Sequence, residues 1–343
     1  MSSFRIRAAN EGDLQHLYEM AKLTGGGFTN LPPEKKTLKA KLERSRTAFT
    51  RDVKPPLPGE AIPEELFVLM LENADTGEVR GTCQVFTSVG QRVPFYSYYR
   101  STETKRSELL DRTFHTEVLT LVNDLKGSSE VGGLFLHPGE RAGGLGLLLA
   151  RSRYLFIARH RERFSDRILA ELRGVIDEGG GSPFWDGVAG RFFGMNFQDA
   201  DAFNAVHGYQ FIADLMPKHP IYVALIPEGS RQVIGVPHPS GRAAMRMLEN
   251  EGFAFENYLD IFDGGPTMTA RTDQVKSIRE ARVSPLCALD GGGEPALVAA
   301  GELSNFRCAM GHVRDVPGGV AIDPACADLL GVAPGDDVMH VGR

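Results

Sequence analysis

The stretch Leu134-Phe135-Leu136-His137-Pro138-Gly139-Glu140-Arg141-Ala142-Gly143-Gly144-Leu145-Gly146 constrains this chain more than any other. A short apolar run stops at a Pro-Gly turn. A basic residue and a glycine cluster follow, and Leu147, Leu148, Leu149 and Ala150 open a helix. The first N–H groups of a helix have no partner inside it, and the helix dipole favours an anion there. Glycines let a ligand approach the backbone with no Cβ in the way. A strand, a loop of bare amides and a helix start in this order suit a phosphate-bearing ligand.

Two common phosphate loops do not fit. A dinucleotide fingerprint needs G-x-G-x-x-G, and here Leu149 stands at the third glycine position after Gly144 and Gly146. A nucleoside-triphosphate loop needs Gly-Lys-Ser/Thr, which does not follow. What remains is R-x-x-G-x-G at Arg141, Gly144 and Gly146, after an apolar strand and a proline turn.

The 343 residues carry a net charge of −6, which argues against a general nucleic-acid binder. A hydrophobic fraction of 42% suits a chain that buries a core. Cys83, Cys287, Cys308 and Cys326 lie far apart with no C-x-x-C pair, so they read as reduced structural thiols, with no metal-site spacing. No signal core follows Met1, and no apolar run approaches the roughly 18 residues of a membrane helix. The expected location is cytoplasmic, with no membrane partner.

Along the chain, Phe4 to Arg7 reads as a first strand, and Asn10 or Asp13 as the cap of a helix bearing Leu14, Leu17, Tyr18 and Ala21. Gly25, Gly26 and Gly27 break that helix, as a lid, a substrate loop or a simple terminator. A basic helix carries Leu38, Leu42 and Phe49, and a linker with Pro55, Pro56, Pro58 and Pro63 follows. Residues 66–71 and 79–88 form a hairpin about Asp75-Thr76-Gly77. Residues 92–112 are aromatic and polar without clean periodicity. The helix of the opening stretch runs to about His160, and residues 167–172 form a strand. A loop spans residues 173–183 and a helical segment residues 184–193. Residues 196–236 mix helix and loop signals. Ala243, Met247 and Leu248 share a helix face, and residues 253–262 form a strand. Beyond 273, short apolar pieces alternate with glycine turns. The expected division is 1–272 as a main domain and 273–343 as a small β-rich C-terminal subdomain.

The R-x-x-G-x-G loop resembles the acyl-CoA loop of the GNAT acyltransferase superfamily, and residues 4–14 look like the first strand and helix of that fold. The implied fold is α+β, a mixed central sheet with flanking helices. Further blocks narrow the resemblance: Thr24 to Pro32, Glu171 to Glu178, Ser182 to Trp185, Ala213 to Tyr222, and Tyr258 to Pro266. Over residues 4–270 they resemble the arginine N-succinyltransferase family. That likeness implies attack of the L-arginine α-amine, or that of ornithine, on succinyl-CoA. The products are N2-succinylarginine and CoA, with succinyl-CoA as co-substrate and no further cofactor. It also implies a homo-oligomer, or pairing with a similar subunit. Two other readings stay open: a GNAT acyltransferase using another acyl-CoA or amine, and a non-catalytic acyl-CoA-binding partner subunit.

The resemblance implies roles for residues. Amides of Leu134 and Leu136 meet the thioester, while Arg141, Gly143, Gly144 and Gly146 hold the pyrophosphate. The family's proton donor falls on His238, in Pro237-His238-Pro239, with His219 a weaker candidate. From the chemistry of the substrates, a guanidinium wants a carboxylate. Asp177 and Glu178 are preferred because they border a glycine-rich loop, ahead of Asp260 and Asp263. The succinyl carboxylate wants an arginine, Arg173 or Arg191.

Overall fold

The computed structural model describes residues 3–24, 30–51, 60–141, 143–207 and 210–343. The Gly25-Gly26-Gly27 segment and most of the proline linker lie outside these residues. The chain divides into two compact units, each assembled from separate stretches of sequence. One holds Met1–Thr87, Ser129–Asp166 and Arg271–Arg343; the other holds Ser88–Ser128 and Arg167–Ala270. The border at Ala270/Arg271 lies beside the division expected from sequence. The residues beyond it belong by contact with the chain's first strand.

In the first unit, Phe4–Ala8 pairs with Leu66–Asn73, which pairs with Val79–Phe86, which pairs with Ser129–Leu136, all antiparallel. Leu66–Asn73 is buried over six consecutive residues because helices cover the sheet there. Helix Lys35–Thr50 lays Leu38, Leu42 and Phe49 on it. Asn10 caps the first turn as expected, accepting from Gly12 N–H, while the Asp13 side chain returns to the Asn10 N–H.

Helix Leu145–Arg159 is buried nearly all round, which explains its apolar sequence. Phe156 packs edge-on against Phe49, Phe164 and Phe306. Next to this cluster, Arg163 makes a two-pronged ion pair with Glu65, Nη2 to Oε1 at 2.8 Å and Nε to Oε2 at 3.2 Å. Both side chains are about 5–6% exposed.

Beyond residue 280 the five strands close on themselves. Glu294–Ala300 pairs with Asp337–Gly342, then come Arg282–Leu289, Gly319–Ile322 and Arg307–Val316, and the last pairs back to Glu294–Ala300. The pairing of Arg282–Leu289 with Gly319–Ile322 is parallel. Helix Pro324–Leu330, capped by Asp323, fills the ring with Cys326, Ala327 and Leu330. Arg307–Val316 also pairs with Phe4–Ala8, so these strands continue the sheet of their unit.

The second unit has the sheet order Arg167–Glu171, Pro266–Arg271, Ala254–Leu259, Ser97–Ser107, Arg112–Val122 and Ile221–Tyr222. Its core stacks Trp185 on Phe262 at 5.5 Å, with Tyr98 edge-on to Phe184. The segment without clean periodicity proves to be one arm of an eleven-residue hairpin, Ser97–Ser107 against Arg112–Val122. Its outer half is exposed on both faces, so no apolar alternation marks it. Residues 196–236, unassigned from sequence, hold helices Phe197–His207, Gln210–Leu215 and Glu228–Arg231.

Candidate active site

The glycine loop has the local structure its sequence implies. Gly143 and Gly144 both take the left-handed conformation, with φ of +75° and +84°, and Gly144 stands at the N-cap of helix Leu145–Arg159. No side chain caps that helix start. Among the described residues, no acceptor meets the N–H groups of Gly143, Gly144, Leu145 and Gly146. A row of unpaired donors at a positive dipole end suits a pyrophosphate. Arg141 is exposed beside the loop.

The strand before the loop is irregular. Thr82 faces Phe135 and Gln84 faces Gly132, so Gly133 and Leu134 together oppose Cys83. This is a β-bulge, which takes backbone groups out of the ladder and re-aims them. Gly133 has φ +55°, and a Cβ there would lie 2.6 Å from Gln84 Cδ. Leu134 and Leu136 are half-buried on the bulged strand.

At Gly144 two constraints coincide. Its φ is one that side chains resist, and an added Cβ would lie 2.4 Å from Arg343 Nη2. A Gly144→Ala variant is therefore expected to cost about 1–2 kcal/mol of local strain. It should raise the KM for the acyl-CoA about tenfold while kcat changes little. An unchanged KM in steady-state assays would show that the loop does not hold the donor.

In the second unit three separated segments converge. Gly174 bridges to Pro237, and His238 N–H donates to the Arg173 carbonyl at 2.7 Å. Asp263 approaches the same corner closely, since a Cβ on Gly174 would lie 2.3 Å from the Asp263 carbonyl oxygen. His238 Nδ1 accepts from Ser240 N–H at 3.2 Å, which leaves the ring proton on Nε2. Burial, and next the charge of Arg173, hold the imidazole below its ordinary pKa. The ring is therefore neutral at pH 7.

Arg173 is half-buried, and its Nε–H has no hydrogen-bond partner among the described residues. Burial lowers its pKa, against the charges of Asp263 and Asp201. A buried guanidinium N–H without a partner is costly, and a carboxylate is the group that would satisfy it. Asp263 is held well above the carboxylate range, first by burial and then by the charge of Asp260. Burial raises the neighbouring Asp260 carboxyl as well. Asp260 Oδ1 accepts from Phe262 and Asp263 N–H groups, and Asp263 Oδ1 from Gly265 N–H, so both also build the turn.

The remaining candidates are exposed. Asp177 is exposed and accepts from Gly181 N–H at 2.8 Å, capping its own turn, with Glu178 exposed next to it. Arg191 and His219 are exposed as well. One group stands in a stretch of small residues, Ser128-Ser129-Glu130-Val131-Gly132-Gly133, that gives no sign of its burial. Glu130, on the bulged strand, is only 6% exposed and joins Asn30, Gln84 and Lys41 in a polar cluster.

Residues 4–277 match the family model described as arginine N-succinyltransferase beta subunit, and residues 279–342 match its C-terminal domain. The chain is 39% identical to an arginine N-succinyltransferase of Enterobacter sp. (strain 638) and 38% identical to one of Escherichia coli O139:H28. Each match covers 98% of this chain and 96% of the relative. The solved arginine/ornithine succinyltransferase subunit AI from Pseudomonas aeruginosa superimposes with a TM-score of 0.87 at 32% identity. That likeness covers 99% of this chain and 98% of that one. The class is thereby defined: an α+β chain with this loop and these relatives is an acyltransferase. Matched along nearly its whole length, the chain belongs to the arginine N-succinyltransferase family. Among the described residues, no helix is long and apolar enough to cross a membrane.

Proposed function

We propose that the chain transfers the succinyl group of succinyl-CoA to the α-amine of L-arginine, releasing N2-succinylarginine and CoA. The observation that carries this reading is the helix start at Gly143–Gly146, with its row of unpaired amides directly after a bulged strand. The bulge fits the splayed strand of a GNAT-like fold. It takes Gly133 and Leu134 out of register, and the amides along Leu134–Leu136 suit the thioester oxygen as it gains charge.

The chemistry divides between groups of the chain. Arg141, Gly143, Gly144 and Gly146 hold the diphosphate of the donor. Arg173, with its unpaired N–H, takes the succinyl carboxylate. Asp177 and Glu178 supply negative charge for the guanidinium from their exposed turn. His238 presents Nε2–H as the donor that stabilises the departing thiolate, in the neutral form its surroundings impose. Association with a second copy, or with a similar subunit, is supported by Leu109, Leu110 and Phe114. These apolar side chains stand exposed near the tip of the long hairpin.

The test is incubation with succinyl-CoA and arginine while free thiol is followed. Release with arginine or ornithine is expected, with an added 100 Da acyl group on the α-amine seen by mass spectrometry, roughly the mass of a succinyl residue. Release only with another amine, or only from another acyl-CoA, overturns the substrate assignment. Binding of CoA without any turnover would favour a non-catalytic subunit instead.

A further inference from the structure

One cavity of the first unit belongs to none of the roles above. It encloses about 230 Å³ and is shared by the glycine loop, at Gly143, and the strands beyond residue 280. Met310 and Leu329 give it apolar walls, and His312 and Asp323 line it with polar groups. Arg343, an exposed residue, lines it as well. Sites for whole small-molecule ligands run to about 300–1,000 Å³, so this one suits a single planar ring system.

Arg343 is held in place through its main chain. Strand Asp337–Gly342 pairs Gly342 with Ala296, and the Arg343 N–H donates to the Pro295 carbonyl at 2.9 Å. Arg151, on the helix that follows the glycine loop, donates from Nη1 to the Gly342 carbonyl at 2.8 Å and from Nε to Ser277 Oγ at 2.7 Å. That helix thus carries its own clamp on the strand end. The Arg343 side chain lies against Gly144, where an added Cβ would collide with Nη2 and stand 3.4 Å from Met310 Cε. Among the described residues its guanidinium has no carboxylate or carbonyl partner. A cation at the positive end of a helix dipole is repelled, and the unpaired N–H groups of Gly143 to Gly146 add to that. An anion bound between them relieves both.

We propose that the strands beyond residue 280 hold the nucleotide end of the acyl-CoA, with Arg343 on the ribose 3′-phosphate and the adenine in the cavity it lines; this rests on the acyl-CoA reading of the glycine loop. A diphosphate at Gly143–Gly146 leaves the adenine one ribose away, and the cavity begins at Gly143. Met310 and Leu329 meet the ring, since a thioether packs well against aromatic groups. The edge of a purine carries both donors and acceptors. His312 Nδ1 is buried with no hydrogen-bond partner among the described residues, at 3.7 Å from Asp323 Oδ2. Either tautomer of that histidine finds a complement on the purine. Asp323 keeps both oxygens occupied, Oδ1 by the Cys326 N–H at 2.9 Å and Oδ2 by the His312 N–H at 2.7 Å. The C-terminal strands thereby tell CoA from its dephospho form and from a simple pantetheine thioester.

The test compares succinyl-CoA, succinyl-dephospho-CoA and succinyl-pantetheine as donors for the full chain and for its Arg343→Gln and Ala325→Trp variants. Ala325 is exposed on helix Pro324–Leu330 and lines the cavity, so tryptophan there fills it without entering the core. In the parent, loss of the 3′-phosphate should raise KM about thirtyfold with kcat unchanged. Arg343→Gln should raise KM for succinyl-CoA by the same factor and leave KM for the dephospho donor within about twofold, a coupling that a structural role would not produce. Arg343→Lys should recover part of the loss, as a point charge without the guanidinium fork. Ala325→Trp should weaken both nucleotide donors about tenfold and spare succinyl-pantetheine. Additive losses from Arg343→Gln and the missing phosphate overturn the proposal. So does an Ala325→Trp variant that affects all three donors alike, or none. A parent that neither binds CoA by calorimetry nor releases thiol from succinyl-CoA would sink the acyl-CoA reading itself. A parent that does both, with an indifferent Arg343→Gln, would sink only the nucleotide subsite.

Discussion

In a His238→Ala variant, turnover of succinyl-CoA with arginine is expected to fall roughly a hundredfold, with little change in either KM. The reasoning starts from the ring's environment. Ser240 N–H occupies Nδ1, so Nε2 carries the proton, and burial together with Arg173 keeps the ring neutral at pH 7. A neutral imidazole that donates from a fixed position stabilises a departing anion only as the anion forms. Its loss therefore appears in kcat rather than in binding. The neighbouring backbone should survive the substitution, because the link to Arg173 runs through the His238 main-chain N–H. A variant with full kcat would remove His238 from the reaction and leave the thiolate to solvent.

The largest stability effect is expected at the Arg163–Glu65 pair. Removing the guanidinium in Arg163→Ala leaves Glu65 buried and facing only the longer contact from Arg51 Nη1, at 3.8 Å. It also orphans the Ala48 carbonyl that Arg163 Nη2 reaches at 3.0 Å. The stacking of the guanidinium over Phe67, at 5.1 Å from the ring centre, is lost too. Breaking one side of such a pair costs about 3–5 kcal/mol. Replacing both partners by apolar residues, as in Arg163→Met with Glu65→Leu, should cost much less, because no charge is left behind. Urea denaturation of the single and double variants compares the two. A single variant that loses less than about 1 kcal/mol would show that water reaches Glu65 in the folded protein.

Much of the proposed donor site was legible because its parts are contiguous. The strand, the Pro-Gly turn, the glycine pair and the helix start occupy residues 134–150. Glycine is the residue that accepts the positive φ that Gly143 and Gly144 adopt. The bulge at Gly133–Leu134 was not legible, because it depends on the register against Thr82 and Gln84. The long hairpin escaped notice for a related reason. Its strands are defined by their pairing to each other, while their outer halves bury neither face. His238 was nameable from resemblance and Arg173 from the charge of a succinyl carboxylate, yet nothing in their spacing shows that one donates to the carbonyl of the other. Asp177 and Glu178 attracted attention beside their glycines, and there Asp177 caps a turn of its own.

The sequence by itself determined the local geometry, a glycine turn into a helix start without a side-chain cap, and, through blocks spread over residues 4–270, the family. Chain geometry over a few residues is enough for that, since φ preferences and helix starts act within one turn. Only the tertiary structure decided which distant groups share an environment. Burial at contacts between remote segments sets the ionisation of His238, Asp263 and Glu130. It also closes the five strands beyond residue 280 and ties them to the first strand of the chain. Desolvation and pairing depend on what packs around a group, and that is a property of the fold rather than of the neighbours in sequence.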